Sequence, residues 1–324
     1  MKNRFIEILS KFKSKKILVI GDIMLDKYVF GEVNRISQEA PVKIVNVKSE
    51  RYVLGGAANS ANNITSLNAL AILIGIVGND DAQKKLYKEL KKNKIDNRTI
   101  VKDNTRPTTQ KTRILAQNQQ LIRIDREEDK KISPQIEKKL IRIINSNINK
   151  VDGVVLCDYN KGVVTKNLVN NITRLTKTKK LIFIVDPKPN HKDYYKNVSL
   201  ITPNHQEACL MLNMNPSNGN DIKGVGSTLR KELDSNILIT RGKKGATLFE
   251  KNGEITDIPT VAKEVYDVSG AGDTVTSTII LALTSGASLK EAAILANHAA
   301  GIVVGKVGTE TLTINEIKNS IEDE

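Results

Sequence analysis

The chain has 324 residues, of which 40% are hydrophobic and only 4% are aromatic, and it contains no Trp. This length allows one large α/β body with an appendage, and its aliphatic core suits buried parallel strands. The net charge of +14 could attract nucleic acid or an anionic small substrate. Because the lysines are scattered, without interleaved aromatic residues or a basic arm, we predict no nucleic-acid partner.

The two cysteines, Cys157 and Cys209, are far apart and form no Cys-x-x-Cys pair, which indicates a reducing compartment. The N-terminal segment is charged and lacks the apolar core of a leader peptide. No apolar run approaches membrane-spanning length. We therefore predict a soluble, cytoplasmic protein without a membrane partner.

In the first half of the chain, strand and helix patterns alternate but are interrupted twice. Residues 16–21 predict a buried strand, and Asp22 and Asp26 follow its carboxyl end, where open α/β sheets bind ligands. These acids could bind sugar hydroxyls or only cap a loop. The alternating segments 28–54 and 108–125 predict hairpins that form a flap off the main body.

Between these hairpins, Gly55 and Gly56 open a predicted helix that contains Asn59. A Gly-Gly pair at a helix start lets the backbone approach a ligand closely, although many turns contain such a pair. A further strand at 71–77 and a helix at 81–92 follow.

The second half of the chain has the regular βα rhythm. Strands are predicted at 153–157, 181–185, 199–202 and 236–240, each followed by polar or glycine residues. Such alternation predicts a mostly parallel sheet covered on both faces. The polar clusters would then meet at one edge, where ligands bind.

The most informative stretch is 267–285, where Gly270, Ala271 and Gly272 precede an apolar helical run. Their backbone amides can converge at a helix N-terminus, which suits a phosphate or a developing anion. Asp273 falls in the first turn and could take a proton from a hydroxyl that attacks a phosphoryl group. The alternative is an ordinary first-turn acid after a glycine-rich turn.

Several competing motifs are absent from the sequence. It contains no Walker A loop, no Gly-x-Gly-x-x-Gly after a strand and no Gly-x-Ser-x-Gly elbow. The three histidines have no metal-ligand spacing. His298 lies in an apolar helical run, where we expect a packed, hydrogen-bonded side chain.

Four motifs occur in one order across nearly the whole chain: Gly55–Asn59, Asn204-x-x-Glu207, Thr240-x-Gly-x-x-Gly245 and Asp267-Val-Ser-Gly-Ala-Gly-Asp273. Together they resemble the signatures of the PfkB (ribokinase-like) carbohydrate kinases. The resemblance implies a single kinase domain over 1–324. It also implies an α/β/α sandwich with a mostly parallel central sheet and a small β lid from about 27–54 and 101–127.

Longer motifs resemble the D-glycero-β-D-manno-heptose 7-phosphate kinase branch: Gly21–Asp26, Arg35–Val42, Gln119–Asp125, Asp158–Val163 and Leu295–Gly308. Three residues depart from that branch: Asn160 replaces glycine, Ser269 replaces threonine, and His298 replaces an apolar residue. The resemblance implies ATP-dependent phosphorylation of the anomeric O1 of heptose 7-phosphate, giving the 1,7-bisphosphate on the route to ADP-heptose for lipopolysaccharide core. Because the chain ends at Glu324, we expect no fused adenylyltransferase domain.

The resemblance also assigns roles. Asp273 would be the base, and the amides of Gly270, Ala271 and Gly272 would stabilise the transferring phosphoryl group. ATP and Mg²⁺ would be the cofactors, with Glu207 contacting the metal through water. The ATP ligands would be Asn204, Glu207, Thr240, Gly242, Gly245 and Asn297. The sugar ligands would be Asp22, Asp26, Gly55, Gly56 and Asn59, with Arg35, Lys161 and Lys188 as candidates for the 7-phosphate.

Family lids often pair across a dimer, so we expect a homodimer formed through the lid. Two alternatives to the heptose reading remain. One is another sugar kinase of the same family, for ribose, fructose or fructose phosphate. The other is a catalytically silent sugar-phosphate sensor or a nucleic-acid binder, which only the positive charge suggests.

Overall fold

The computed structural model describes residues 2–117, 119–216, 219, 221–262, 265–306 and 308–322. The helices are α1 (Lys2–Ser10), α2 (Ala57–Ser66), α3 (Asp81–Lys92), α4 (Pro134–Asn147), α5 (Lys166–Lys179), α6 (His205–Met211), α7 (Ile222–Leu233), α8 (Ala271–Thr284), α9 (Leu289–Val303) and α10 (Ile314–Glu322). The strands are β1 (Lys16–Gly21), β2 (Ile23–Ile36), β3 (Lys43–Gly56), β4 (Leu70–Ile74), β5 (Ile76–Val77), β6 (Val101–Lys102), β7 (Thr109–Ala116), β8 (Gln119–Arg126), β9 (Gly153–Cys157), β10 (Ile182–Asp186), β11 (Leu200–Ile201), β12 (Asn236–Thr240), β13 (Ala246–Phe249) and β14 (Ile255–Ile258).

The central sheet has the strand order β14-β13-β12-β11-β10-β9-β1-β4. The six neighbouring strands β4, β1, β9, β10, β11 and β12 run parallel to one another. Strand β13 pairs antiparallel with both β12 and β14. Alternate residues of β1 enter opposite cores: Ile17 and Val19 pack with α1, α2 and α8, whereas Leu18 and Ile20 pack with α4 and α5. Apolar runs buried on both faces are typical of parallel sheets, and the predicted mostly parallel sheet is confirmed.

A second sheet, the lid, has the order β3-β2-β7-β8. Strand β2 pairs antiparallel with β3 and parallel with β7, and β7 pairs antiparallel with β8. The lid begins at Ile23, earlier than predicted from residue 27. Val101–Lys102 was expected in the lid but pairs with Ile76–Val77 on the body. Asn118, in the predicted turn of the second hairpin, lies outside the described residues.

The structure differs from the predicted elements at two other places. Residues 71–77 form two strands, interrupted at Gly75, where an added Cβ would lie 2.5 Å from the Gly21 carbonyl oxygen. One helix was predicted after Pro203, but the structure has α6 and α7 there. Gly224 and Gly226 weaken the helix signal of α7, and Gly226 lets the helix approach the ring of Phe249.

Among the described helices, none is both long enough and apolar enough to cross a membrane.

Candidate active site

The motif residues gather at the carboxyl edge of the central sheet, where β1, β9, β10 and β12 end. Hydrogen bonds join these ends to the starts of α2 and α6. The amide of Ala57 donates to the Asp22 carbonyl at 2.9 Å, and that of Thr240 donates to the Pro203 carbonyl at 3.0 Å. The segments predicted to carry chemistry therefore border one cleft, as expected at this edge of an α/β sheet.

Asp273 lies at the third residue of α8 and is only 4% exposed. Its Oδ2 accepts a hydrogen bond from Asn59 Nδ2 at 2.8 Å, and its Oδ1 accepts bonds from Ser60 Oγ and the Tyr159 hydroxyl, each at 2.8 Å. Three donors from two other segments thus fix the carboxylate. Asn59 thus positions Asp273, and the sugar contact predicted for Asn59 stays a prediction.

Helices α2 and α8 are joined by buried polar contacts behind this carboxylate. Ser277 Oγ donates to the Ser60 carbonyl at 3.0 Å, and Thr274 Oγ1 donates to Asn63 Oδ1 at 2.9 Å. Buried hydroxyls need such partners, since an unsatisfied polar group costs about 1–3 kcal/mol. The polar stripe on otherwise apolar α8 therefore holds Asp273 against Ser60.

Burial raises the pKa of Asp273, while the bonds from Asn59, Ser60 and Tyr159 oppose that rise. The pKa of Tyr159 is raised far above its usual value by burial and by the neighbouring charges of Asp273 and Asp186. Tyr159 therefore stays protonated and donates. Tyr159 and Ser60 were not among the predicted site residues, although both lie within or beside the sequence motifs.

We expect Tyr159→Phe to move the acidic limb of the kcat–pH profile to higher pH. The phenol stabilises the ionised form of Asp273, so its removal raises the pKa of that carboxyl further. Well above the limb, kcat should approach the wild-type value. Tyr87→Phe, on α3, is the control. A uniform loss of kcat at every pH would instead indicate a purely structural role for Tyr159.

The first turn of α8 supplies only part of the predicted anion-binding set, the amides of Gly270, Ala271 and Gly272, and adds the amide of Asp273. Gly270 is the N-cap with φ +80°, a left-handed conformation that favours glycine. The amide of Ala271 donates to the Val268 carbonyl at 3.3 Å. The first helical bond joins Thr274 N–H to the Gly270 carbonyl, so Gly272 and Asp273 carry first-turn amides without an intrahelical acceptor.

Asp22 holds the loop that follows β9. Its Oδ2 accepts the amides of Tyr159 and Lys161 at 2.9 and 3.2 Å, and its Oδ1 accepts the amide of Val163 at 3.2 Å. Burial, together with the charge of Asp158, raises the pKa of Asp22 to about 6 despite these bonds. These three bonds hold the loop in place, and the sugar contact predicted for Asp22 stays a prediction.

Within that loop, Asn160 explains one departure from the resembling branch. Its φ of +56° is left-handed, a conformation that glycine adopts readily and that asparagine tolerates better than most residues. Its amide also donates to Asp158 Oδ1 at 2.8 Å. Asparagine thus preserves the turn that carries Tyr159 and Lys161.

Asp26 lies in the lid wall of the cleft, beside Gly55 and Gly56. An added Cβ at Gly55 would stand 2.6 Å from Asp26 Oδ2, so only glycine leaves room for this carboxylate. Gly56 has φ +56° and passes close to the Asp22 carbonyl. Asp26 Oδ1 accepts a bond from Arg113 Nη1 at 2.5 Å. Arg113 was not among the predicted site residues.

The opposite end of the cleft contains Asn204, Glu207 and Lys188. Asn204 and Glu207 form a capping box at the start of α6, with each side chain bonded to the other residue's amide. Lys188 Nζ bonds to Glu207 Oε1 and lies 5.6 Å from the Tyr159 ring centroid. Lys188, predicted near the 7-phosphate, therefore faces the residues predicted to bind the nucleotide.

Around Lys188 the cleft is rich in carboxylates. Burial and the charges of Asp273 and Glu207 raise the pKa of Asp186 far above its usual value. Burial lowers the pKa of Lys188, but the nearby carboxylates of Glu207, Asp186 and Asp158 together outweigh it and the net shift is upward. This end of the cleft therefore has a surplus of negative charge that a cation would relieve.

The predicted nucleotide loop follows β12. Thr240 pairs with Asn204 in an isolated parallel bridge, and Gly242 and Gly245 have φ of +56° and +78°. An added Cβ at Gly245 would stand 2.0 Å from the Ile258 carbonyl oxygen. Asn297 Nδ2 donates to the Pro259 carbonyl at 2.6 Å, so Asn297 and the loop meet at the same wall.

The remaining phosphate candidates separate in space. Lys161 Nζ bonds to Glu127 Oε1 at 2.7 Å, at the junction of body and lid. Arg35 lies exposed near the far end of β2, nine residues from Asp26. At about 3.3 Å per residue, that separation is roughly 30 Å, so within one chain Arg35 is remote from the cleft.

A buried carboxylate at the N-terminus of a helix, at the carboxyl edge of a parallel sheet beside a β lid, fits an α/β protein that transfers a phosphoryl group. The chain matches the model of the pfkB family carbohydrate kinases over residues 14–316. It therefore belongs to the PfkB family of carbohydrate kinases, as the motifs predicted.

Curated relatives carry the name bifunctional protein HldE. The protein of a Nitratiruptor species is 43% identical over 304 residues, covering 94% of this chain and 64% of the relative. That of Desulfatibacillum aliphaticivorans is 42% identical over 323 residues, covering 98% of this chain and 65% of the relative. The chain thus spans slightly less than two thirds of the length of these relatives.

Solved structures confirm the predicted ribokinase-like fold. Arabidopsis thaliana ribokinase complexed with ribose and ATP matches with a TM-score of 0.72 and 20% identity, over 95% of this chain and 98% of that chain. Phosphofructokinase-2 from Escherichia coli with substrates and products matches with a TM-score of 0.76 and 16% identity, over the same shares of the two chains.

Proposed function

We propose that the chain phosphorylates the anomeric O1 of D-glycero-β-D-manno-heptose 7-phosphate with ATP, giving the 1,7-bisphosphate for ADP-heptose and lipopolysaccharide core. The buried carboxylate of Asp273 beside the first-turn amides of α8 supports phosphoryl transfer. The choice of heptose is supported by the HldE relatives, at 43% identity over 94% of the chain. ATP as donor is supported by the fold shared with a ribokinase complexed with ATP.

In this proposal Asp273 takes the proton from the anomeric hydroxyl as its oxygen attacks the γ-phosphorus and ADP leaves. The amides of Gly272 and Asp273 stabilise negative charge on the transferring group, aided by the dipole of α8. Asn59, Ser60 and Tyr159 keep the carboxylate in one orientation, since each donates to it. Because the carboxylate is already oriented, less conformational entropy is lost when the transition state forms.

The donor set at the nucleotide end fits magnesium. Asp186 offers carboxylate oxygens, the ligands that this cation prefers, and a bound divalent ion would favour the ionised form of this buried group. Glu207, whose oxygens bond to Lys188 and to the Asn204 amide, would contact the ion through water. Among the described residues, no group of three His, Cys, Asp or Glu side chains could hold a metal alone. Water and ATP phosphates would complete the shell, and the bound ion would neutralise polyphosphate charge.

We expect Glu207→Gln to raise the Mg²⁺ concentration needed for half-maximal activity by about tenfold or more, the usual scale for residues that support a metal. The reason is loss of a carboxylate charge at that end of the cleft. Glu291→Gln is a matched control, because Glu291 also closes a capping box and pairs with a basic side chain, but on α9. Equal magnesium titrations in both variants would leave Glu207 with only its capping role.

The substrate is tested by a coupled ADP-release screen of sugars and sugar phosphates, with mass detection of the product. Heptose 7-phosphate should give the highest kcat/KM, and the product should be the 1,7-bisphosphate. The family alternative, a kinase for ribose, fructose or fructose phosphate, replaces our proposal if one of those sugars is preferred. The structural neighbours include kinases of that kind.

We also propose a homodimer formed through the lid. Its outer face exposes the apolar side chains of Ile122 and Ile124, each about half accessible. Exposed apolar side chains on one sheet favour association with a second copy. Sedimentation of the full chain over a range of concentrations tests this, and a monomer throughout would refute it. A cytoplasmic location, where ATP is available, belongs to the same proposal.

A further inference from the structure

Basic side chains line the side of the lid that faces the cleft. Lys111 on β7 is in register with Asp26 on β2 and with Asp125 on β8. Arg113, two residues further along β7, is in register with Tyr28. Because side chains two apart on a strand point to the same face, Lys111 and Arg113 share the face of Asp26.

Glu127 joins this lid face to the body. Its Oε2 lies 3.0 Å from Lys111 Nζ, and its Oε1 lies 2.7 Å from Lys161 Nζ. Lys111 Nζ also lies 2.8 Å from Asp125 Oδ2. Burial opposes ionisation of Glu127, but its bonds from Lys161 and Lys111 outweigh that effect and lower its pKa. One carboxylate thus bridges a lid lysine and a body lysine.

Arg113 is held at the same place by two contacts. Its Nη1 donates to Asp26 Oδ1 at 2.5 Å, and its guanidinium lies 5.3 Å from the Tyr28 ring centroid. The bond to Asp26 uses one of the five N–H groups that a guanidinium carries. Its planar fork is suited to binding a phosphate through a pair of bonds.

The backbone of Lys161 is already ordered. Its amide donates to Asp22 Oδ2 at 3.2 Å, and its carbonyl accepts a bond from Arg106 Nη1 at 3.1 Å. Lys111 and Lys161 have only 17% and 19% of their side chains exposed. A ligand would therefore need to reorient ammonium groups only, which keeps the ordering cost of binding low.

We propose that Lys111, Arg113 and Lys161 form the subsite for the phosphate group of a sugar-phosphate substrate, and that Glu127 occupies it until substrate binds. The inference rests on the proposed function in that the acceptor sugar is phosphorylated. A phosphate carries a charge of about −1.5 to −2 and three strong acceptor oxygens. It can satisfy three cations at once, whereas the Glu127 carboxylate bridges two.

Occupation by Glu127 has a consequence for specificity. A phosphorylated sugar replaces one anion by a stronger one, so the two lysines keep a partner. An unphosphorylated sugar supplies no anion and leaves Glu127 in place. The subsite therefore favours phosphorylated over unphosphorylated sugars. The affinity for the phosphorylated sugar is nevertheless lower than it would be in an empty subsite, because Glu127 must be displaced.

The first test uses binding rather than turnover. We measure the Kd of inorganic phosphate by calorimetry on the full chain, with a saturating non-hydrolysable ATP analogue so that neither the nucleotide loop nor the first-turn amides of α8 compete. Lys111→Met should weaken phosphate binding by about ten- to a hundredfold, the scale of one charge-assisted hydrogen bond. Glu127→Gln should tighten it, because the competing carboxylate is gone.

Lys192→Met is the control, since Lys192 has a similarly buried side chain paired with Glu232 on the body. Unchanged phosphate binding in Lys111→Met, or weaker binding in Glu127→Gln, overturns the subsite. The latter result would assign the Glu127–Lys161 pair to holding the lid on the body.

Turnover separates this inference from the proposed substrate. If heptose 7-phosphate is the substrate, Lys111→Met should raise its KM by the same factor while the KM for ATP stays unchanged. If the phosphate Kd shifts as expected but heptose 7-phosphate is not turned over, the subsite stands and the heptose assignment fails. If heptose 7-phosphate is turned over with the same KM in every variant, the assignment stands and the subsite fails.

Discussion

Asp273→Asn is expected to lower kcat by about a hundredfold or more, the scale of lost general-base catalysis. The amide cannot accept the hydroxyl proton, yet it keeps the shape that Asn59, Ser60 and Tyr159 surround. ATP affinity should stay nearly unchanged. Steady-state kinetics with sugar phosphate and ATP varied separately measure both quantities.

The same substitution should leave the protein as stable as the wild type at pH 8, or more stable. Burial raises the pKa of Asp273, so the folded state binds this proton more tightly than the unfolded state. Its stabilising contribution is complete below the unfolded pKa and is lost as the pH rises through the folded pKa. Ionised Asp273 therefore costs stability at pH 8, and the neutral amide removes that cost.

The control for Asp273→Asn is Asp221→Asn, at the N-cap of α7, where either side chain can cap the helix. Its kcat should match the wild type. Full turnover in Asp273→Asn would remove the base from the mechanism. A lower melting temperature at pH 8 would show that the ionised carboxylate stabilises the fold, against the direction expected here.

The second large effect is expected for Gly55→Ala, which should lower kcat/KM for the sugar by roughly ten- to a hundredfold. The new Cβ would stand 2.6 Å from Asp26 Oδ2, closer than any normal contact. Asp26 must then move, and its bond to Arg113 moves with it. The KM for ATP, whose predicted ligands lie at the other end of the cleft, should change little.

Gly224→Ala is the matched control for this substitution. Among the residues that the structure describes, an added Cβ at Gly224 meets only Asp221 Oδ2, at 3.4 Å, and it lies in the exposed first turn of α7. It should leave kcat/KM unchanged and raise stability by up to about 1 kcal/mol. Equal kcat/KM in the two variants would mean that Asp26 is not a fixed part of the sugar site.

Much of the fold was predictable because its strands and helices have unambiguous periodicities. The buried runs that form β9 and β12, and the capped, amphipathic α3, end at the residues predicted for them. The break at Gly75 and the helix α7 were not predictable in the same way. Both depend on a glycine meeting a distant segment, Gly21 or Phe249, that local sequence does not identify.

The site was predictable only in part, since motifs identify residues but not their partners. Asp273 lies in the first turn of α8 as predicted. The local sequence does not indicate that the Asp22 carboxylate accepts hydrogen bonds from three amides, or that Asn59 donates one to Asp273. Lys111 and Arg113 had a readable signal: they alternate on a strand-like segment, although their face becomes known only from the pairing of β2 with β7.

The lid joins the body without a linker. Only Asp22 separates β1 from β2, and β3 runs into α2 directly at Gly56. These two crossings are tied by the bond from the Ala57 amide to the Asp22 carbonyl. Any hinge motion at this end of the lid must therefore turn about Asp22 and Gly56. Asp22 also accepts hydrogen bonds from the amides of Tyr159 and Lys161. Rotation about this hinge would therefore shift the loop that carries Tyr159, so that opening of the lid would release the product and weaken the contact of Tyr159 with Asp273 in one movement.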